Sequence, residues 1–69
     1  MNLSTLKKLR CENNLTQADM GAKIGIGRSA YTNKEVGLRK FSVEEAYVIA
    51  GIFNRSIEEV FFKEKRHAK

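Results

Sequence analysis

The run LTQADMGAKIGIGRSAYTNKEVG, residues 15–37, decides the fold. Met20 and Ile24 stand one helical turn apart before Gly25, and Ile26 and Tyr31 follow it. Thr16 is a good N-cap and Asp19, three residues on, is its acidic capping-box partner, so a helix should begin here. Gly25 suits the left-handed stop that ends such a helix. A second helix is predicted from about Arg28 to about Val36, with Tyr31 as its inward anchor, Ile26 as a buried plug in the turn, and Gly37 as its stop. Two helices crossing at roughly 90–120° through a turn of 3–4 residues need close backbone approach, which Gly21 permits, and a residue tolerating positive φ, which Gly25 supplies. The second helix then stands proud of the domain, where it can enter a major groove about 12 Å wide.

On the N-terminal side, Leu3, Leu6 and Leu9 mark one face of a first helix that should stop near Asn13 and Asn14. On the C-terminal side, Leu38–Phe41 reads as a short basic loop. Ser42 with Glu45 makes a capping box for a fourth helix, whose core stripe is Val43, Ala46, Ile49, Ala50 and Phe53. Ser56 with Glu59 makes another for a short fifth helix carrying Ile57, Val60 and Phe61. The reading is one all-α, five-helix domain over residues 1–62, followed by a basic tail, 63–69, expected to fray.

Charge divides the chain. Residues 1–40 hold eight Lys or Arg against three acidic groups, whereas residues 41–69 hold five of each. A positive front half and a neutral back half fit a phosphate-facing surface joined to a partner-facing one; charge alone leaves open a basic domain that is merely solvated. Cys11 is the single cysteine, which rules out an intramolecular disulfide and favours an intracellular setting. Its place beside the leucine stripe predicts an inert, partly buried thiol. No apolar run suits a signal peptide or a membrane span, so a cytoplasmic protein is expected.

Several chemistries find no support. His67 is the sole histidine and lies in the tail, so neither a metal cluster nor a Ser-His-Asp arrangement can be assembled. Gly25-Ile26-Gly27 lacks the third glycine and preceding strand of a dinucleotide fingerprint. In 69 residues there is little room for a catalytic or small-molecule pocket beside the core. No enzymatic activity and no cofactor are expected.

Taken in order, Leu6–Arg10, Leu15–Gly25, Arg28–Gly37, Ser42–Phe53 and Ser56–Phe61 resemble the Cro/lambda-repressor type of helix-turn-helix, the XRE family, across nearly all of Leu3–Phe62. The resemblance implies a lambda-repressor-like fold that binds double-stranded DNA and regulates transcription. By it, Arg28, Ser29 and Asn33 face base edges, where Arg can grip guanine and Asn adenine. Gln17 contacts a phosphate at the start of the first helix of the motif, and Thr32 lies near the phosphate wall. Arg39 and Lys40 lie in a loop that touches the DNA backbone. Arg10 and Glu35 form a structural ion pair locking the first helix to the end of the reading helix. The sequence departs from the family's pattern at Gly21, where alanine is usual, and at Gly27, where a Ser or Thr cap is usual. It departs again at Phe41 in place of proline, at Arg55 in place of an apolar residue, and at Lys34, which is expected to reach a phosphate instead.

Val48 and Ile52 are one turn apart and off the core stripe of the fourth helix. With Phe62 they are expected to form an apolar patch for a two-fold dimer contact, unless they pack beneath the tail. The leading expectation is a homodimeric repressor. An antitoxin or restriction-modification controller would use the same module, and a protein-interaction module that no longer reads DNA stands as the reading from another class.

Overall fold

The computed structural model describes residues 3–62, which form five helices: α1 Ser4–Glu12, α2 Gln17–Ile24, α3 Arg28–Glu35, α4 Val43–Ile52 and a short π-helical α5, Glu58–Phe62. No strand occurs among the described residues. The tail 63–69, with His67, lies outside them.

Local chemistry sets most of the boundaries. Thr16 and Asp19 cap each other at the start of α2: the Asp19 N–H donates to Thr16 Oγ1 at 2.9 Å and the Thr16 N–H donates to Asp19 Oδ2 at 2.9 Å. Ser42 with Glu45 and Ser56 with Glu59 repeat the exchange before α4 and α5. The first four helices also stop alike. A left-handed residue (Asn14, Gly25, Gly37 or Asn54) follows each. The next N–H then reaches back five positions: Leu15 to the Arg10 carbonyl at 3.0 Å, Ile26 to Gly21 at 2.8 Å, Leu38 to Asn33 at 2.8 Å, and Arg55 to Ala50 at 2.9 Å. This Schellman closure satisfies carbonyls that a helix end would leave unpaired, and glycine or asparagine is what the left-handed position accepts.

Every helix contributes to one core: Leu6 and Leu9 from α1, Met20 from α2, Tyr31 from α3, Ala46, Ile49 and Ala50 from α4, Val60 and Phe61 from α5. Phe41, in the loop before α4, is buried and links the halves. Its ring centroid is 5.9 Å from that of Tyr31 and 5.5 Å from that of Phe61, both tilted. The geometry is one that aromatic quadrupoles favour.

Three expectations need correcting. Val43, assigned to the core of α4, is 78% exposed; Phe41, two residues earlier, occupies the core at that end and leaves Val43 on the outer side of the first turn. Cys11 is exposed, because two residues past Leu9 is about 200° around a helix. Ile24 and Ile26 are half-buried against the core rather than sealed within it.

The α2–α3 contact is the most extensive between helices, and Gly21 sits in it. A Cβ at Gly21 would lie 2.8 Å from the Ile26 carbonyl oxygen and 3.1 Å from that of Gly27. Gly21 is thus the residue that admits the turn.

Candidate nucleic-acid interface

Helix α3 turns Tyr31 and Glu35 inward and leaves Arg28, Ser29 and Ala30 exposed, with Thr32 and Asn33 half-exposed. The side chains of Arg28, Ser29 and Asn33 make no hydrogen bond to another described residue. Gly27 precedes them with no side-chain cap. Arg39 and Lys40 follow, exposed, in the loop to α4.

What fixes this helix is a carboxylate. Glu35 is 1% exposed, and a charge there is tolerable only with close partners. Arg10 from α1 grips it with two nitrogens, Nε to Oε2 at 2.8 Å and Nη2 to Oε1 at 3.2 Å. The third nitrogen, Nη1, donates to the Leu15 carbonyl at 2.8 Å, which ties in the chain entering α2. The Tyr31 hydroxyl donates to Oε2 at 2.7 Å, and Gln17 Nε2 donates to Oε1 at 3.0 Å. Burial alone would push the Glu35 carboxyl up; the hydrogen bonds from Arg10, Gln17 and Tyr31 outweigh it and hold the group below the ordinary carboxylate range. Burial, followed by the bond to Glu35, pushes the Tyr31 phenol above its usual value, so it stays a donor. The Arg10 guanidinium is raised by its hydrogen bond to Glu35. Helices α1, α2 and α3 thus meet at one anion.

Gln17 also has partners within the fold. Its amide lies inside the motif: besides donating to Glu35, its Oε1 accepts the Thr32 hydroxyl at 3.1 Å. One amide hydrogen of Gln17 and the N–H groups of Gln17 and Ala18, which have no intrahelical partner, are left at that position. Thr32 is likewise engaged, facing α2. Lys34, expected at a phosphate, has a partner within the fold. Its ammonium lies 2.6 Å and 2.8 Å from the two carboxylate oxygens of Glu45, which also caps α4 through Ser42. Burial opposes ionisation of Glu45, but the bonds from Lys34 and Ser42 prevail and lower it. Lys34 therefore braces α3 against the start of α4. Sequence reasoning missed these roles because each partner lies many residues away.

The expected partner surface is mixed. Val48 and Phe62 are exposed, while Ile52 is half-buried and packs against the core. Tyr47, not anticipated, is 72% exposed beside Val48, and both line an open apolar groove with Gly51 and Ile57.

Among the described residues, no cluster of three or more His, Cys, Asp or Glu could hold a metal, and no helix is long and apolar enough to cross a membrane.

The family profile described as helix-turn-helix matches residues 6–60. An uncharacterized HTH-type transcriptional regulator of Methanocaldococcus jannaschii is 37% identical over 59 residues, covering 86% of this chain and 89% of that protein. Another from Archaeoglobus fulgidus is 34% identical over 56 residues, covering 81% of this chain and 79% of its own. The HTH-type transcriptional regulator AnsR of Bacillus subtilis is 32% identical over 66 residues, covering 96% of this chain but 57% of AnsR. No solved structure matches the chain significantly.

Proposed function

Because the chain belongs to the helix-turn-helix family of DNA-binding transcription regulators, we propose that it is a cytoplasmic repressor that binds a near-palindromic operator as a homodimer. The observation that carries this reading is the exposure of Arg28 and Ser29 at the start of α3 and the half-exposure of Asn33 one turn on. These side chains make no hydrogen bond to another described residue, yet they stand on a helix held from behind by Arg10, Gln17 and Tyr31 at Glu35. Preorganised donors and acceptors on a protruding helix are what base-edge readout requires. Arg28 reads guanine, Asn33 adenine, and Ser29 either base. Arg39 and Lys40 contact phosphate, and the amide end of Gln17 with the start of α2 holds another.

The test has two stages. Sequencing the duplex fragments retained by the purified protein from a random pool yields the operator. Arg28→Ala or Asn33→Ala should then lose about 1–3 kcal/mol of discrimination at defined base pairs. Lys40→Ala should weaken binding to all sequences alike and lower the salt slope by about one unit. No preference among random duplexes, even at low salt, would sink the reading.

Val48, Phe62 and the exposed edge of Ile52 form the proposed two-fold contact, placing the two reading helices one DNA turn apart, about 34–36 Å. Val48→Glu should convert a sedimenting dimer into a monomer; an unchanged sedimentation coefficient would place the dimer surface elsewhere.

A further inference from the structure

Val36 ends helix α3 and keeps 53% of its surface exposed. Scattered exposed apolar residues are ordinary and need no explanation. The placement of this one does. At about 100° per residue, positions 29, 33 and 36 fall within about 60° of one another on the helix, opposite the inward pair Tyr31 and Glu35. Val36 therefore continues the row begun by Ser29 and Asn33. From Ser29 to Val36 the helix rises about 10 Å, the length of three base-pair steps of about 3.4 Å. The backbone of Val36 is also fixed: its N–H donates to the Thr32 carbonyl at 3.0 Å, and the Schellman closure at Gly37 and Leu38 follows directly. The result is a stiff, branched, uncharged end to an otherwise polar reading row, with Arg39 and Lys40 close behind it.

We propose that Val36 is a specificity-determining residue that recognises the 5-methyl group of a thymine next to the base pair read by Asn33. This rests on the reading of α3 as the base-contacting helix and adds the chemistry of its last position. In the major groove, the thymine methyl is the one apolar feature that distinguishes base-pair edges, and an aliphatic side chain recognises it by excluding water. A valine cannot satisfy the donors and acceptors that the other edges present, so those base pairs are disfavoured by unpaired polar groups.

The experiment uses the full chain and the duplex it selects, with each thymine within reach of α3 replaced in turn by deoxyuridine, which pairs identically but lacks the methyl. At one position, loss of the methyl should weaken binding about fourfold, the worth of one apolar carbon taken out of water. The Val36→Ala protein should bind thymine and deoxyuridine at that position equally, within twofold, while keeping the preferences set by Arg28 and Asn33. The Val36→Thr protein, with the same shape but a hydroxyl, should lose most of the sensitivity too. Indifference of the parent protein to every replacement overturns the proposal and leaves the DNA-binding reading intact. So does a fourfold response that survives in Val36→Ala, or a selected site with no thymine beside the Asn33 base pair. A protein that selects no site at all overturns both.

Discussion

Arg10→Met is expected to destabilise the domain by about 3–5 kcal/mol, because it leaves the buried Glu35 carboxylate without its cation. That is comparable to the whole stability of a domain this small, so the variant should be largely unfolded at neutral pH. Its pH dependence should also invert. In the parent protein the folded Glu35 titrates below its ordinary range. Its contribution is therefore complete above the ordinary carboxylate pKa and is lost as pH falls through the lower, folded value. Without Arg10 only the hydrogen bonds from Gln17 and Tyr31 oppose burial, the first-ranked influence, and the folded value is expected to rise above the ordinary one. The contribution is then complete at low pH and is lost as pH climbs through that raised value. Circular dichroism from pH 7 down to pH 4 should show the parent losing helix or staying level while Arg10→Met gains it. Removing the charge altogether, as in Arg10→Met with Glu35→Gln, should recover much of the loss. A variant as stable as the parent at pH 7 would mean that the ion pair is not the lock between α1 and α3.

Gly21→Val should cost about 3 kcal/mol and abolish selective DNA binding at temperatures where the variant is still folded. Helix propensity argues the other way at this position, since replacing a mid-helix glycine by alanine gains about 1 kcal/mol. The steric effect is larger. A Cβ here meets the Ile26 carbonyl at 2.8 Å, and that atom is backbone, so relief requires moving the turn itself. Forced overpacking typically costs about 1–3 kcal/mol, and a branched side chain belongs at the top of that range. The shift would open the α2–α3 angle and carry Arg28 and Asn33 away from where they are aimed. Gly21→Ala decides the sign in a urea titration: destabilisation upholds the close approach, and a gain near 1 kcal/mol would refute it.

The fold was legible in the sequence wherever its cause is local. The capping boxes at Thr16, Ser42 and Ser56 and the stops at Asn14, Gly25 and Gly37 all join residues within a few positions, so spacing alone reveals them. Spacing could not reveal the partners of Gln17 and Lys34. Gln17 meets Glu35 and Thr32 across the motif, and Lys34 meets Glu45 from the next helix. Nothing in the composition near either residue announces those partners. Phe41 read as a loop residue, which it is, but its burial was hidden because its two aromatic neighbours come from helices on either side of it. Val43 shows the complementary error: periodicity defines a helix face but not where that face runs out of core. Gly21 was readable as a helix cost and as room for a crossing; the 2.8 Å approach to the Ile26 carbonyl exists only in three dimensions. Of the candidate site, the surface side chains of α3 were legible, whereas the division between groups free to touch DNA and groups bracing the helix was not.

Three helices clasping one buried carboxylate leave α3, the helix proposed to read the duplex, little slack of its own. Its ordering cost is met when the chain folds, and little flexibility remains to adapt to an imperfect groove. Any mutual adjustment must then come from the duplex, by bending or twisting. A protein of this stiffness would favour some sites for the pliability of base-pair steps that it never touches.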